Sequence, residues 1–404
     1  MKAQNLSYSA RVFNRICSLY VRFILCGLLF FYICIYPPLV SSCFIELSTR
    51  LIVETLILLI VVFYIQLKNN FKVPKDMVWL VVLVLLYWIF SLDKSRQVFS
   101  FFNKFVFFIF LVRVVHNNRG MFVLLRKLWV VMWFILSISA ILACISFTLG
   151  IVSYSPLNFS DYTYQYNPFL GLVLPKQVGT FILPRYSGWF IEPSYLAFFF
   201  GINVFFASNF FVNVNKLRCF KWLNAIAGFL TFSTAFYVFF LSYYLYRMVR
   251  RKILMSKIII CLLLSSALFL IIYIWKNPDL VYYTSFADRI WRLEGVWNVL
   301  INIDIKHIIF GFGIIPLQTA VGGGTCLGLV DILLGRGLLL FIFVMHLIFR
   351  YTRYNPMLFL FIIFYSFSFS FLWYPLFLFA VALGHESYLC NNKSYILQKS
   401  QNPT

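Results

Sequence analysis

Long apolar runs alternate with short basic or polar breaks along the whole chain. The runs fall at residues 23–40, 51–67, 77–92, 98–115, 122–150, 189–212, 222–246, 258–275, 328–349 and 356–383. Apolar stretches near 20 residues have the length of a bilayer-spanning helix. The pattern therefore predicts an all-α, polytopic integral membrane protein. Two runs need division. Residues 222–246 are flanked by Lys216, Arg218 and Lys221 on one side and by Arg247, Arg250, Arg251, Lys252 and Lys257 on the other. A single crossing would put these clusters on opposite faces. A hairpin of two short half-helices turning at Thr231-Phe232-Ser233-Thr234 keeps them together, and broken helices occur where backbone lines a protein-buried cavity. Residues 356–383 are long for one span and break at Trp373-Tyr374-Pro375. The count becomes about twelve spans, some broken or short, in a single membrane domain over residues 1–404. Two larger polar intervals, 151–187 and 276–327, lie between them.

Composition supports this reading. The chain is 62% hydrophobic, with 50 phenylalanines, and only 11% charged. An ordinary soluble domain is about 45–50% apolar and about 25% charged, so a soluble enzyme, a disordered chain and a secreted disulfide scaffold are excluded. Net charge is +22. The basic residues sit in short clusters between apolar runs, as in cytoplasmic loops under the positive-inside rule, and no nucleic-acid partner is expected. Lys2, Arg11, Arg15 and Arg22 precede the first run without a small-residue cleavage site, which reads as an uncleaved span with its N-terminus inside. Lys68, Lys72, Lys75, Arg113, Arg119, Arg126 and Lys127 then also fall inside, as do both termini. Of the acids only Asp76 and Glu386 fall inside. Glu46, Glu54, Asp93, Asp161, Glu192, Asp279, Asp288, Glu294, Asp304 and Asp331 lie outside or at outer helix ends, so the outer face is mixed in sign and better suited to chemistry. Lys104 lies within a span.

The nine cysteines show neither CxxC spacing nor a paired framework and read as small packing residues. None of the four histidines lies beside a carboxylate or cysteine at metal-ligand spacing. No Asp-x-Asp pair is present, so no metal or other cofactor is expected.

The first outer interval ends in Pro184-Arg185-Tyr186-Ser187-Gly188-Trp189-Phe190-Ile191-Glu192-Pro193-Ser194. It places Arg185 and Glu192 at the mouth of a span, with Pro193 suited to open a helix. Glu192 could serve only as a carboxylate at the positive end of a helix dipole, and Arg185 could snorkel. The second interval holds Asp288-Arg289-Ile290-Trp291-Arg292-Leu293-Glu294. Arg289 and Arg292 share a face if helical, and two guanidiniums there suit a pyrophosphate. An intra-helix salt network with Asp288 and Glu294 is the alternative. Gly311-Phe312-Gly313 and Gly322-Gly323-Gly324 lack the rest of a nucleotide loop and read as turns or close backbone approaches. Asp331 follows.

These residues resemble a family. Arg185-x-x-Gly188-x-x-x-Glu192-Pro193-Ser194 is similar to the "R..G.F.EPs" stretch of bacterial O-antigen polymerases of the Wzy type. Thr231-x-Ser233-Thr234 matches their "lT.St" helix break. Asp288-Arg289 leads into Gly311-Phe312-Gly313 as their "sR…GfG" interval does, and Asp331 with Gly335-x-Gly337 resembles their last "D…ll…G" helix. The resemblance covers roughly residues 180–340. It implies a GT-C-like inner-membrane glycosyltransferase whose intervals 151–187 and 276–327 are periplasmic. The implied substrate is an oligosaccharide repeat unit on undecaprenyl pyrophosphate, drawn from the membrane lipid. Further implied partners are a polysaccharide chain-length regulator and the O-unit flippase. Arg185, Glu192 and Arg289 would be catalytic, and Arg292, Asp331, Gly311 and Gly313 would bind substrate, without a metal or cofactor. O-antigen ligase is the nearest alternative. That family carries a functional histidine in the interval where this chain, between residues 313 and 337, has none. A lipid-linked oligosaccharide flippase is the other alternative; it should place charges within spans around a central cavity.

Overall fold

Helices dominate because the apolar runs satisfy their own backbone hydrogen bonds. The computed structural model describes residues 20–21, 23–34, 36, 39, 45–68, 75–90, 96–159, 162–178, 181–250, 285–321, 328–366 and 371–401. The expected span at 258–275, the glycines 322–324, the N-terminal basic residues and the basic residues at 251, 252 and 257 lie outside these. The chain divides into two compact units. One takes in Met1–Leu80, Phe99–Thr231 and Trp373–Thr404, the other Val81–Val98 and Phe232–Leu372.

The first unit contains α1 (Phe23–Cys34) and α2 (Leu47–Lys68). It also holds the start of α3 (Lys75–Phe90) and nearly all of α4 (Arg96–Asn117). A single residue, Asn118, separates α4 from α5 (Arg119–Leu149); its side chain accepts from Met121 N at 3.2 Å and caps α5. The basic residues Arg113, Arg119, Arg126 and Lys127, expected in a loop, therefore lie on helices. At 31 residues, α5 is roughly 46 Å long. Ser100–Asn117 and Arg119–Leu149 are long and apolar enough to cross a membrane; Phe23–Cys34 is apolar but shorter.

Residues 151–187 are not a simple loop, and the fold is not purely helical. Four strands, β1 (Ser155–Phe159), β2 (Tyr162–Asn167), β3 (Gly171–Val178) and β4 (Phe181–Gly188), form an antiparallel sheet in sequence order. Side chains alternate across a strand. Tyr164, Leu172 and Leu174 are thereby buried together, with Leu157 and Tyr166 packed against them. The sheet feeds α6 (Pro193–Phe210), whose PSYLAFFFGINVFFASNF sequence is apolar all round and buried along almost its whole length. A helix without a polar face belongs at a centre. Trp129 Nε1 of α5 donates to Asn203 Oδ1 of α6 at 2.8 Å, and Trp133 stacks on Phe199 at 5.7 Å. The first unit also contains α7 (Val214–Leu230).

Besides the end of α3 and the start of α4, the second unit contains α8 (Thr234–Arg250). The break between α7 and α8 falls at Thr231-Phe232-Ser233, where Phe232 has φ of +48°. Both helices extend beyond 222–246, so Lys216, Arg218, Lys221, Arg247 and Arg250 are helical. The interval 276–327, expected as a loop, is mostly helical where described: α9 (Ser285–Asn302), α10 (Ile305–Phe310) and α11 (Ile314–Val321). Val296 and Val299 of α9 pack on Leu317, Val321 and Leu334. A short turn, Gly328–Val330, continues as a π-helical turn, Asp331–Gly335. Then come α12 (Leu338–Thr352) and α13 (Pro356–Ser366). Phe239 of α8 meets Phe361 of α13 edge-on at 4.7 Å. The expected break at Trp373-Tyr374-Pro375 precedes α14 (Pro375–Gln401), which returns to the first unit.

Candidate functional site

The candidate residues fall into two groups, one in each unit. In the first, β4 carries Arg185 opposite Leu174. Arg185 is half-buried, with its Nε shielded from solvent. Burial pushes the neighbouring Tyr186 hydroxyl well above its ordinary range, so it stays neutral. The chain then reverses tightly. Gly188 has φ of +61°, and a Cβ there would press on Leu196 of α6 at 3.3 Å. Ser187 Oγ donates to Phe190 O at 2.7 Å, and Phe190 N donates to Ser187 O at 3.0 Å. Phe190 forms an antiparallel bridge with Leu39, and the Tyr164 hydroxyl donates to Ile191 O. The sheet and the segment that follows α1 thus both grip the turn.

Glu192 ends that turn at the N-cap of α6, with φ −136°, ψ 147° and Pro193 following at the first helical position. Its carboxylate makes no capping hydrogen bond. The cap reading is therefore limited to attraction toward the positive helix end. One turn on, the Tyr195 and Tyr374 hydroxyls lie 3.5 Å apart. Trp189, between Gly188 and Glu192, is 44% exposed and meets Tyr166 edge-on at 5.9 Å.

In the second unit, Arg289 and Arg292 both lie on α9, so their i,i+3 spacing puts the two positions on one helix face. Arg292 is half-buried and Glu294 is exposed. Gly311-Phe312-Gly313 lies against Leu334-Gly335-Arg336: Phe312 N donates to Leu334 O at 2.8 Å and Gly313 N to Gly335 O at 3.0 Å. These glycines form a close backbone crossing that fixes the π-helical turn. Asp331 opens that turn and is buried. Single π-turns are rare and concentrate at functional sites. Arg336 is buried beside it, its Nη1 donating to Tyr87 Oη at 3.2 Å.

Some polar groups were not found from the sequence. His116 Nδ1 lies 3.0 Å from Glu386 Oε2, a pair 270 residues apart in the chain. His307 stands 3.8 Å from Asp304. Glu54, expected at an outer helix end, is fully buried about two turns into α2. The signal was an acid and a lysine, Lys104, each set in an apolar run, because such charges require a partner. No protein-family model, characterised protein or solved structure matches this chain.

Proposed function

We propose that this protein is a polymerase of surface polysaccharide, such as O-antigen, in a bacterial inner membrane. In this reading about twelve spans place both termini in the cytoplasm and the intervals 151–187 and 276–327 in the periplasm. The substrate is an oligosaccharide repeat unit on undecaprenyl pyrophosphate. A hydroxyl of the incoming unit attacks the anomeric carbon of the growing chain. The bond to the pyrophosphate oxygen breaks, and the pyrophosphate keeps the electron pair. Glu192 accepts the hydroxyl proton, while Arg185, Arg289 and Arg292 stabilise the charge growing on the leaving group. Asp331, Gly311 and Gly313 shape the substrate site. A chain-length regulator and the flippase that delivers the units are the expected partners.

The observation that carries this reading is the mounting of Arg185 and Glu192. A folded sheet and a doubly hydrogen-bonded turn bring the cation-bearing strand to the start of a buried helix, where Glu192 is the N-cap residue. The flippase reading is less well supported. Lys104 and Arg336, the candidates for cations in the middle of expected spans, are only 8% and 6% exposed, and each lies over a tyrosine ring. Both are closed in by protein.

Deletion of the gene tests the proposal, with surface polysaccharide resolved on a gel. Loss of a polymerase leaves the lipid core carrying a single repeat unit. A core with no unit attached would overturn the reading in favour of a ligase or flippase.

A further inference from the structure

Glu54 is 0% exposed. Its Oε1 accepts from Tyr32 Oη at 2.9 Å, and its Oε2 accepts from Tyr36 Oη. Ser100 and the charge of Lys104 also act on Glu54. Lys104 Nζ also lies 4.6 Å from the centre of the Tyr36 ring. Arg50, one turn earlier on α2, acts on the Tyr36 hydroxyl while its Nε donates to Ile45 O at 2.8 Å. Segments from α1, α2 and α4 are thus joined through one buried carboxylate. Polar groups of this kind inside an apolar helical protein are seldom incidental.

The group has a physical connection to the turn before α6. Leu39 N donates to Tyr36 O at 3.3 Å, and Leu39 bridges Phe190. Phe190 is held by Ser187, and Glu192 is two residues further on. On the other side Phe101, next to Ser100, packs against Trp373 at 5.6 Å, and the adjoining Tyr374 meets Tyr195 in the first turn of α6. Both lines of contact end at the helix start that carries Glu192.

We infer that Glu54 is a positioning residue: through Tyr36 and Leu39 it holds the Ser187–Phe190 turn, and so sets where Glu192 stands. The link to catalysis rests on the proposed role of Glu192; the link to the turn does not. Tyr32 and Tyr36 provide the discriminating pair. Each gives one hydroxyl to the same carboxylate from the same segment, yet only Tyr36 is tied to Leu39.

The turn can be read by maleimide labelling of Ser187→Cys in an otherwise cysteine-free chain, since Ser187 is fully buried and reacts only when the turn opens. Tyr36→Phe should speed labelling about three- to tenfold, the range set by losing one buried hydrogen bond, and Tyr32→Phe should leave it near the parent rate. Equal acceleration in both variants, or none in Tyr36→Phe, overturns the inference. With purified Tyr36→Phe protein bearing its native cysteines, the polymerisation rate at saturating lipid-linked repeat unit should fall. The half-saturating concentration should stay within about twofold, as for a group acting only in the transition state. Faster labelling with an unchanged polymerisation rate would leave the positioning intact and overturn the catalytic role of Glu192.

Discussion

Gly337 and Gly311 meet backbone to backbone: a Cβ on Gly337 would lie 2.5 Å from the Gly311 nitrogen, and φ is +90° at one and +100° at the other. Gly337→Ala should therefore destabilise the second unit by about 1–3 kcal/mol from backbone conformation alone, with steric overlap added. Gly335→Ala is the informative contrast. Its φ is ordinary, and its added methyl meets the end of the Ile314 side chain, which can swing. The midpoint of thermal unfolding in detergent should fall clearly further for Gly337→Ala. Equal shifts would mean that the crossing tolerates a side chain.

The two α9 arginines separate anion binding from helix stabilisation. Arg289→Ala or Arg292→Ala should shorten or abolish polymer while the protein still inserts at normal levels. Removing one donor to a developing charge typically costs about 2.7–4 kcal/mol of transition-state stabilisation. Arg→Lys should rescue only in part, because an ammonium keeps the charge and loses the planar fork. Unchanged polymer length in both alanine variants would favour a salt network on α9.

What the sequence made legible follows from how each signal is encoded. Helices α2 to α5 and the breaks at Thr231 and Trp373 were readable because apolar runs and their interruptions are local. The sheet was missed although Tyr162-Thr163-Tyr164-Gln165-Tyr166 alternates as a strand should. Its Pro, Asn and Ser content suggested a loop, and burial of Tyr164 with Leu174 depends on pairing that lies outside any local window. Arg185 and Glu192 are legible as a pair because one short motif carries both. The turn that mounts them, closed by Ser187 and braced by Leu39, is not, since nothing local links residue 39 to residue 190. The burial of Glu54 is illegible for the same reason: its partners Tyr32, Tyr36 and Lys104 lie outside α2.

The orientation of the sheet relative to α7 can be checked with thiols. Phe169, at the β2–β3 turn, is 87% exposed, and the native Cys219 on α7 is exposed as well. In the proposed topology Phe169→Cys labels from outside with an impermeant reagent. Cys219, lying among Lys216, Arg218 and Lys221, labels only after the membrane is opened. Labelling of both from outside in intact spheroplasts would remove the basis for the inward placement of that basic cluster.

The sharpest prediction concerns the chemistry of Glu192. An acceptor hydroxyl must lose its proton during glycosyl transfer, and a placed carboxylate that takes it is worth typically about 10²–10⁴-fold in rate. Glu192 stands at the start of α6 and its side chain makes no capping hydrogen bond, so a glutamine there takes no cap away from the helix. Its favourable interaction with the helix end is worth roughly 0.3–1 kcal/mol, too small to unfold the unit. Glu192→Gln keeps the shape and a hydrogen-bonding group while removing the base. It should therefore retain normal membrane levels and normal binding of the lipid-linked repeat unit, yet lose polymerisation by at least about a hundredfold. Glu192→Asp keeps the base but draws it back by one methylene, and should recover part of the rate. Polymerisation near the parent rate in Glu192→Gln would assign Glu192 to structure alone. Asp331, buried at the opening of the π-turn, would then be the next carboxylate to test.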